Sequence, residues 1–203
     1  MVQSASSTEI ATAGTDVMAK ESFDSILIES QERQRKIERL LKKGDLSERL
    51  RNKDKVTIID MGAGAGMTST LGLIGFLPEN ASVKIIPVDA ARYNPDTLKS
   101  AEAFIKRRIP KTFVEPRYGV TLSQYASGEP TPADIVILGK AEFASYLLPS
   151  EISRLVKPGG IFIELGAHKN VPDLESQKMS LVAELPISPL SKDTYDKAFI
   201  KFQ

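Results

Sequence analysis

The chain has 203 residues, of which 41% are hydrophobic and 26% charged, and its formal net charge is +1. This composition is typical of a globular protein rather than a disordered one, and the near-neutral charge gives no indication of a nucleic-acid or membrane partner for the whole chain. The absence of cysteine excludes disulfides, thiolate metal ligands and cysteine nucleophiles.

Consistent with this composition, we expect no metal site and a cytoplasmic location. No apolar run approaches the roughly 18 residues that a membrane span needs, so we expect no membrane association. The first 15 residues are rich in Ser, Ala and Thr but lack the basic start and hydrophobic block of a secretory signal. We predict a flexible tail over residues 1–15 and a single domain over 16–203, with N-terminal helices over 16–44 and an α/β core over 45–203.

The N-terminal helices are indicated by apolar residues spaced i, i+3, i+4. Two such clusters occur, formed by Phe23, Ile26 and Leu27 and by Ile37, Leu40 and Leu41. The polar stretch Glu29 to Lys36 between them predicts either two short helices or a bend. Gly44 is well placed to end the second helix.

From residue 45 onward, runs rich in Val and Ile alternate with helical stretches. The predicted strands are Val56–Ile59, Val83–Val88, Thr112–Glu115, Ile135–Leu138 and Ile161–Leu165. The predicted helices are Met67–Phe76, Pro95–Arg108 and a short one from Ser150 to Val156. This alternation indicates a parallel sheet covered on both faces. Two further strands, Ser180–Leu185 and Lys197–Phe202, have no strong helix between them, which predicts a closing antiparallel pair.

A glycine-rich loop follows the first predicted strand and reads Asp60-Met61-Gly62-Ala63-Gly64-Ala65-Gly66. Glycines let the backbone turn sharply and approach a ligand, and the next helix would point its N-terminal N–H groups at that ligand. A dinucleotide loop would need G-x-G-x-x-G/A, but Met67 and Ser69 stand where the last small residue should fall. The form D-x-G-x-G-x-G instead resembles motif I of the Rossmann-like, class I S-adenosylmethionine-dependent methyltransferases.

Three further landmarks follow in the family's order. Asp89 ends the second predicted strand, 23 residues after Gly66. Ala133–Leu138 resembles the family's strand four, and Lys157-Pro158-Gly159-Gly160 resembles the turn before strand five. The resemblance covers roughly residues 45 to 203. It implies an α/β fold with a doubly wound, seven-stranded, mostly parallel sheet whose last strand is inserted antiparallel, with the N-terminal helices over the cofactor.

The resemblance also implies the cofactor, S-adenosylmethionine, and its product S-adenosylhomocysteine. The residues that match the family's cofactor-binding positions are Asp60, Gly62, Ala63, Gly64, Gly66, Asp89 and Ala90. In this interpretation Asp89 accepts hydrogen bonds from both ribose hydroxyls, since a carboxylate only accepts. The alternatives are that the glycines only build a tight turn, that Asp60 only caps backbone amides, and that Asp89 is a surface acid.

The methyl acceptor is less clearly indicated. The stretch Leu138-Gly139-Lys140-Ala141-Glu142-Phe143 lacks the D/N-P-P-Y/F motif of enzymes that methylate base amines. It also lacks the strand-four Asp of the 2′-O enzymes, and C5 methylation of cytosine needs a cysteine that is absent. Lys140, Glu142, Tyr146 and His168 could contact an acceptor, and His168 titrates in the range that suits a base. The alternative is that all four are solvated loop residues.

A basic segment, Arg33–Lys55, holds ten Lys and Arg against four Asp and Glu. Such clustered charge can bind RNA through phosphate contacts. The alternative is a solvated helix face with i, i+4 ion pairs, such as Glu38 with Lys42.

These observations predict S-adenosylmethionine-dependent methyl transfer to RNA or a small molecule, with the acceptor selected by the N-terminal helices and loops or by a partner subunit. The alternative is a catalytically inactive, methyltransferase-like binding or assembly module. Three features favour it: Arg117–Leu122 lacks the family's usual acid near the adenine, Gly139-Lys140 stands where the family's catalytic motifs would fall, and Pro87 interrupts strand two. A nicotinamide-dependent oxidoreductase is disfavoured by the glycine pattern.

Overall fold

The computed structural model describes residues 23–64, 66–128, 130–139, 147–168, 174–187 and 194–202. The predicted tail over residues 1–15 lies outside these ranges, and the division into a tail and one domain stays a prediction. Among the described residues, no helix combines the length and apolar character that crossing a bilayer requires.

The described part of the chain begins with one continuous helix, α1 (Phe23–Lys43), followed by the short α2 (Ser47–Arg51). The expectation of two short helices or a bend between Glu29 and Lys36 is therefore wrong. Ion pairs spaced i, i+4 support the helix through this polar stretch, with Arg33 bound to Glu29 at 3.2 Å and Lys36 to Glu32 at 3.0 Å.

The end of α1 agrees with the sequence, although the residue that turns is not the glycine. Gly44 follows the helix, but Asp45 takes the left-handed conformation, at φ 52°. The N–H of Leu46 donates to the carbonyl of Leu41 at 2.9 Å, and the N–H of Asp45 donates to that of Lys42 at 3.4 Å. This is the Schellman pattern that closes a helix.

The remaining strands and helices alternate along the chain. The strands are β1 (Lys55–Met61), β2 (Ser82–Asp89), β3 (Thr112–Val114), β4 (Arg117–Tyr118), β5 (Ala133–Leu138), β6 (Val156–His168), β7 (Met179–Pro186) and β8 (Thr194–Lys201). The helices are α3 (Thr68–Leu73), α4 (Pro95–Arg108), α5 (Leu122–Ser127) and α6 (Pro149–Leu155), with a 3-10 turn, Ile74–Phe76, after α3 and another at Glu175–Gln177.

One sheet joins all of these strands, in the order β3-β2-β1-β5-β6-β8-β7, with the two-residue β4 pairing beside the end of β2. The strands β1, β2, β3, β5 and β6 are parallel, whereas β8 runs antiparallel between β6 and β7. The predicted doubly wound, mostly parallel sheet with its last strand inserted antiparallel is thereby confirmed. The sequence reading missed α2, α5 and β4, which are all six residues long or shorter.

Alternate strand residues point to opposite faces of the sheet and build two cores. On one face, Ile58 of β1 belongs to a cluster with residues of α1, α3 and α4. On the other, Ile59 belongs to a cluster with residues of α5 and α6. Helices therefore cover both faces, and the carboxyl ends of the parallel strands meet at one edge.

Two local features differ from simple expectation. The predicted turn Lys157–Gly160 lies within β6, where Ala133 pairs with Val156 but Ile135 pairs with Ile161, so the extra residues form an irregularity in the strand. Pro87 pairs with Asp60 of β1. On its other side, β3 pairs only as far as Ile85 and β4 begins at Val88. Pro87 thus lies opposite a break in the ladder, where a missing N–H costs little.

Candidate cofactor site

The glycine-rich loop crosses from β1 to α3 over the end of β2. The N–H of Gly62 donates to the carbonyl of Val88 at 2.9 Å, which ties the loop to the second strand. Gly62 and Gly64 have φ values of 70° and 63°, a left-handed conformation that glycine adopts without steric cost. Met67 also has a positive φ, at 48°, directly before α3. The loop therefore has the sharp course that its sequence predicts.

Asp60, the penultimate residue of β1, is fully buried beneath this loop. Its Oδ2 accepts hydrogen bonds from the N–H of Thr70 at 3.1 Å and from the Thr70 hydroxyl at 2.7 Å. Its Oδ1 has no hydrogen-bond partner among the described residues. Burial raises the pKa of Asp60 from 3.8 to about 6, against the hydrogen bonds from Thr70, which lower it. Asp60 thus caps α3 with one oxygen, and its other oxygen has no donor in the described part of the chain.

Asp89, the last residue of β2, lies directly against the loop. Its Oδ2 accepts from the N–H of Gly64 and its Oδ1 from the N–H of Ala91, both at 3.0 Å. It is therefore more than an isolated surface acid. Ala90, which lies between Asp89 and Ala91 in the chain, is exposed. Each carboxylate oxygen can accept more than one hydrogen bond, so Asp89 retains acceptor capacity beyond the two backbone bonds.

Tyr118 is an aromatic side chain at this site that the sequence reading did not include among the cofactor-binding residues. It pairs with Asp89 through β4, and its hydroxyl donates to the carbonyl of Gly64 at 3.2 Å. Its ring meets that of Tyr93 edge-to-face, with centroids 5.3 Å apart. Burial, and then the carboxylates of Asp60 and Asp89, raise the pKa of Tyr118, so it stays a neutral donor.

Helix α1 packs over the loop. A Cβ added to Gly66 would lie 2.6 Å from Cγ2 of Ile26, so glycine is required there by the approach of α1. The hydroxyl of Thr68 donates to Glu29 at 3.2 Å, and a Cβ at Gly72 would lie 2.7 Å from the backbone nitrogen of Gln34. Of the predicted loop glycines, Gly62 and Gly64 serve conformation and Gly66 serves packing.

The structure describes little of the predicted acceptor side. Lys140, Glu142 and Tyr146 lie outside the described residues. The backbone of His168 ends β6, and the prediction for its side chain also lies outside the described part. Gly139 is described: its N–H donates to the carbonyl of Met61 at 3.1 Å, and a Cβ there would lie 2.6 Å from Ser69 Oγ. Packing against α3 therefore accounts for a glycine after β5.

Glu164 of β6 was missed by the sequence reading. It is 1% exposed, and its Oε2 has no hydrogen-bond partner among the described residues. It pairs with Leu138, the last residue of β5, and across the other side with Lys197 of β8. Burial raises the pKa of Glu164 from 4.5 to about 7, against the positive charge of Lys197. A sequence feature that could have indicated Glu164 is its position as a charged residue within the otherwise apolar strand Ile161–Leu165.

At the opposite edge of the sheet, where the parallel strands begin, an acidic residue has its carboxylate paired within the protein. Asp134 of β5 accepts from Lys53 at 2.8 Å, from Lys157 at 2.9 Å and from the N–H of Thr57 at 2.9 Å. Burial alone would raise its pKa, but these hydrogen bonds outweigh burial and hold the pKa of Asp134 below its ordinary value. Asp134 therefore ties β1, β5 and β6 together.

Solved structures share this architecture. Similar folds are a candidate O-methyltransferase from Klebsiella pneumoniae (11% identity, 92% of this chain and 93% of that one, TM-score 0.51) and fibrillarin from Aeropyrum pernix with natively bound S-adenosyl-L-methionine (14%, 83% and 76%, 0.51). A ribosomal-protein methylase from Lactobacillus delbrueckii subsp. bulgaricus is similar to the same degree (14%, 81% and 79%, 0.51). The chain has the Rossmann-like fold of the class I methyltransferases.

Because the identities are below 25%, this likeness concerns the fold. No family model matches the sequence, and no curated protein matches it. Within the described ranges, no group of three or more His, Asp and Glu side chains forms a metal-binding cluster. The chemistry of this methyltransferase fold must therefore be argued from its own residues.

Proposed function

We propose that the chain binds S-adenosylmethionine at the loop over β1 and β2 and transfers its methyl group to an acceptor. The observation that carries this proposal is the state of Asp60, whose buried Oδ1, beneath the loop, has no donor among the residues that the structure describes. A buried unsatisfied carboxylate oxygen costs about 1–3 kcal/mol or more, and a ligand that donates to it recovers that energy.

The residues present fit this cofactor at two further points. A Cβ at Gly64 would meet no heavy atom of the described residues beyond its chain neighbours within 4 Å, so a ligand has room to approach the loop backbone. Asp89, with acceptor capacity beyond its two backbone bonds, suits a pair of ribose hydroxyls. The sulfonium of the bound cofactor supplies an electrophilic methyl group. The protein then has to align the acceptor with that methyl group and exclude water.

The acceptor in this proposal is RNA or a small molecule. As a surface for RNA, the basic segment Arg33–Lys55 has fewer available positive charges than its count of Lys and Arg suggests. Among the described residues, at least five of its ten cations are engaged within the protein: Arg33, Lys36 and Lys42 in ion pairs along α1, Lys53 with Asp134, and Lys43 with the carbonyl of Glu184. We keep a partner subunit and a cytoplasmic location as part of the proposal.

An inactive binding module is the second candidate, and one observation favours it. Asp89 accepts the Gly64 N–H while Tyr118 donates to the Gly64 carbonyl, so the loop is held from both sides by the protein itself. Two sequence features that favoured an inactive module are weaker arguments in the structure. Pro87 faces a break in the hydrogen-bond ladder, and packing against α3 accounts for Gly139.

A methyl-transfer assay tests the leading proposal against the second candidate. The full chain is incubated with tritiated S-adenosylmethionine and, in separate arms, with total small RNA and with a small-molecule extract. The expected result is label in one of the two fractions, which is lost in Asp89→Ala and retained in Asp96→Ala. Asp96 is an exposed acid of α4, so its substitution controls for the change itself.

Binding of S-adenosylhomocysteine is measured by calorimetry on the same samples, with NADH as a negative control. Binding without label in either fraction would favour the inactive module over the enzyme. No binding of either sulfur compound, or tighter binding of NADH, would contradict the proposed cofactor.

A further inference from the structure

A buried acidic residue stands on the acceptor side of the sheet, and the proposed function has not used it. Glu164 lies in the carboxyl-terminal half of β6, four residues before its end, and is level with Leu138, which ends β5. Leu138 in turn pairs with Met61, the residue before the glycine loop. At about 4.8 Å between strands, the Cα of Glu164 is roughly 10 Å from that of Met61. Glu164 is therefore level with the start of the glycine-rich loop and two strands away from it.

The backbone directly after Glu164 departs from regular strand geometry. Glu164 pairs with Lys197 but Ala167 pairs with Tyr195, so one extra residue on β6 makes a β-bulge. Gly166 in the bulge has φ 82°, and its N–H donates to the carboxylate of Asp196 at 2.9 Å. Bulges re-aim side chains and are common next to active sites. Here a specific hydrogen bond fixes the bulge directly after Glu164.

The charged groups around Glu164 leave its carboxylate only partly compensated. Lys197 faces it from β8, and that ammonium lies 3.6 Å from Glu184 on the neighbouring strand. From β5 the facing residue is the apolar Leu138. Helix α6, which also packs on β6, carries Glu151 and Arg154. Glu164 Oε2 consequently lacks a donor among the described residues, although the side chain is 1% exposed.

We propose that Glu164 is the general base of the site and that it receives the proton of a hydroxyl acceptor. This inference rests on the proposed function. In the balanced step the acceptor oxygen bonds to the methyl carbon, and the sulfur–methyl bond breaks with its electron pair left on sulfur. The hydroxyl proton passes to the carboxylate of Glu164, which releases it to solvent when the products leave the site.

A hydroxyl acceptor needs such a base more than an amine acceptor does. A neutral amine attacks an electrophilic methyl group through its lone pair and can lose its proton afterwards. A hydroxyl is a weak nucleophile until its proton is removed during attack, so a positioned base contributes to its rate. A carboxyl group with a pKa of about 7, as burial gives Glu164, is suited to this role at neutral pH. The hydroxyl could belong to RNA or to a small molecule, which the two arms of the methyl-transfer assay distinguish.

Calorimetry with two cofactor analogues tests this inference without an acceptor. S-adenosylhomocysteine lacks the methyl group and measures the cofactor site alone. Sinefungin has an amine-bearing carbon in place of the methylated sulfur, so it presents a cation where the acceptor attacks. An ionised Glu164 should favour that cation. We expect Glu164→Gln to lose about tenfold of the sinefungin preference at pH 8 while binding S-adenosylhomocysteine unchanged.

The matched control is Glu184→Gln, which removes the other carboxylate beside Lys197 and should keep the sinefungin preference. The preference of the wild type should also shrink from pH 8 to pH 6, as Glu164 takes up its proton, and this change should be absent in Glu164→Gln. An equal sinefungin preference in wild type and Glu164→Gln would overturn the inference and leave the cofactor proposal standing. No binding of S-adenosylhomocysteine by the wild type would overturn both.

Discussion

Three acidic residues at the two edges of the sheet differ in how completely their carboxylates are paired. At the amino-terminal edge, Asp134 is bound by two lysines and a backbone N–H, and its pKa is lowered. At the carboxyl edge, Asp60 and Glu164 are buried, each has an oxygen without a donor among the described residues, and their pKa values are raised. Asp134 is thus satisfied by its neighbours within the protein, which suits a role in stability. Asp60 and Glu164 keep acceptors that our proposals assign to ligand binding.

The largest effect should come from removing the paired carboxylate of Asp134. Asp134→Ala leaves Lys53 and Lys157 without their shared partner and frees the Thr57 N–H. We expect the free energy of unfolding to fall by about 3 kcal/mol, about 1 kcal/mol for each of the three hydrogen bonds lost, with cofactor affinity unchanged. Urea denaturation and calorimetry check the two parts. A stability change below about 1 kcal/mol would contradict this view of the edge.

The second prediction concerns Asp60 and pH. Its pKa is raised from 3.8 to about 6 in the folded state, so its contribution to stability is fully present below about pH 4 and is lost as pH rises through 6. Asp60→Asn removes this titration while keeping an acceptor for Thr70. Relative to wild type, the variant should gain up to about 3 kcal/mol in unfolding free energy between pH 4 and pH 8.

Denaturation curves at the two pH values measure this gain, and Asp96→Asn provides the exposed control. A difference between wild type and Asp60→Asn that is the same at both pH values would mean that Asp60 titrates normally. The variant should also bind the cofactor less tightly, because an amide replaces the unpaired carboxylate oxygen.

The third prediction tests the packing of α1 over the loop. A Cβ at Gly66 would lie 2.6–2.8 Å from three carbons of Ile26. Gly66→Ala should therefore lower the free energy of unfolding by about 2 kcal/mol through overpacking. Ile26→Ala opens space for that Cβ, so a double-mutant cycle should show a favourable coupling of about 1 kcal/mol or more. Additive single effects would indicate that α1 does not contact Gly66.

The smallest effect is expected at Tyr118. Tyr118→Phe keeps the ring contact with Tyr93 and removes only the hydroxyl that donates to the Gly64 carbonyl. We expect the free energy of unfolding to fall by about 1 kcal/mol, the usual contribution of one hydrogen bond. Faster hydrogen exchange in the loop amides should accompany this change. Unchanged stability and exchange would show that the hydroxyl does not hold the loop.

Much of this arrangement could be predicted from the sequence because it depends on local patterns. Val- and Ile-rich runs predicted the strands, and the glycine spacing predicted a loop whose positive φ angles are found at Gly62 and Gly64. The continuity of α1 could also have been predicted, since Glu29 and Arg33 are four residues apart, but the polar stretch was interpreted as an interruption.

Other features depend on contacts between distant segments. The role of Gly66 follows from Ile26, forty residues earlier, and the clamp on Gly64 follows from Tyr118. The state of Glu164 depends on burial by several elements and on a lysine of β8. No local pattern specifies such tertiary relationships.

Calorimetric titration with S-adenosylmethionine tests the central claim most directly, namely that the carboxyl edge holds this cofactor. The proteins are the wild type, Asp89→Ala and the exposed control Asp96→Ala. The account predicts that wild type and control bind alike and that Asp89→Ala binds about 100-fold more weakly, since a charged acceptor of two hydroxyls is lost. Equal binding by Asp89→Ala and wild type, or no binding by the wild type, would contradict it.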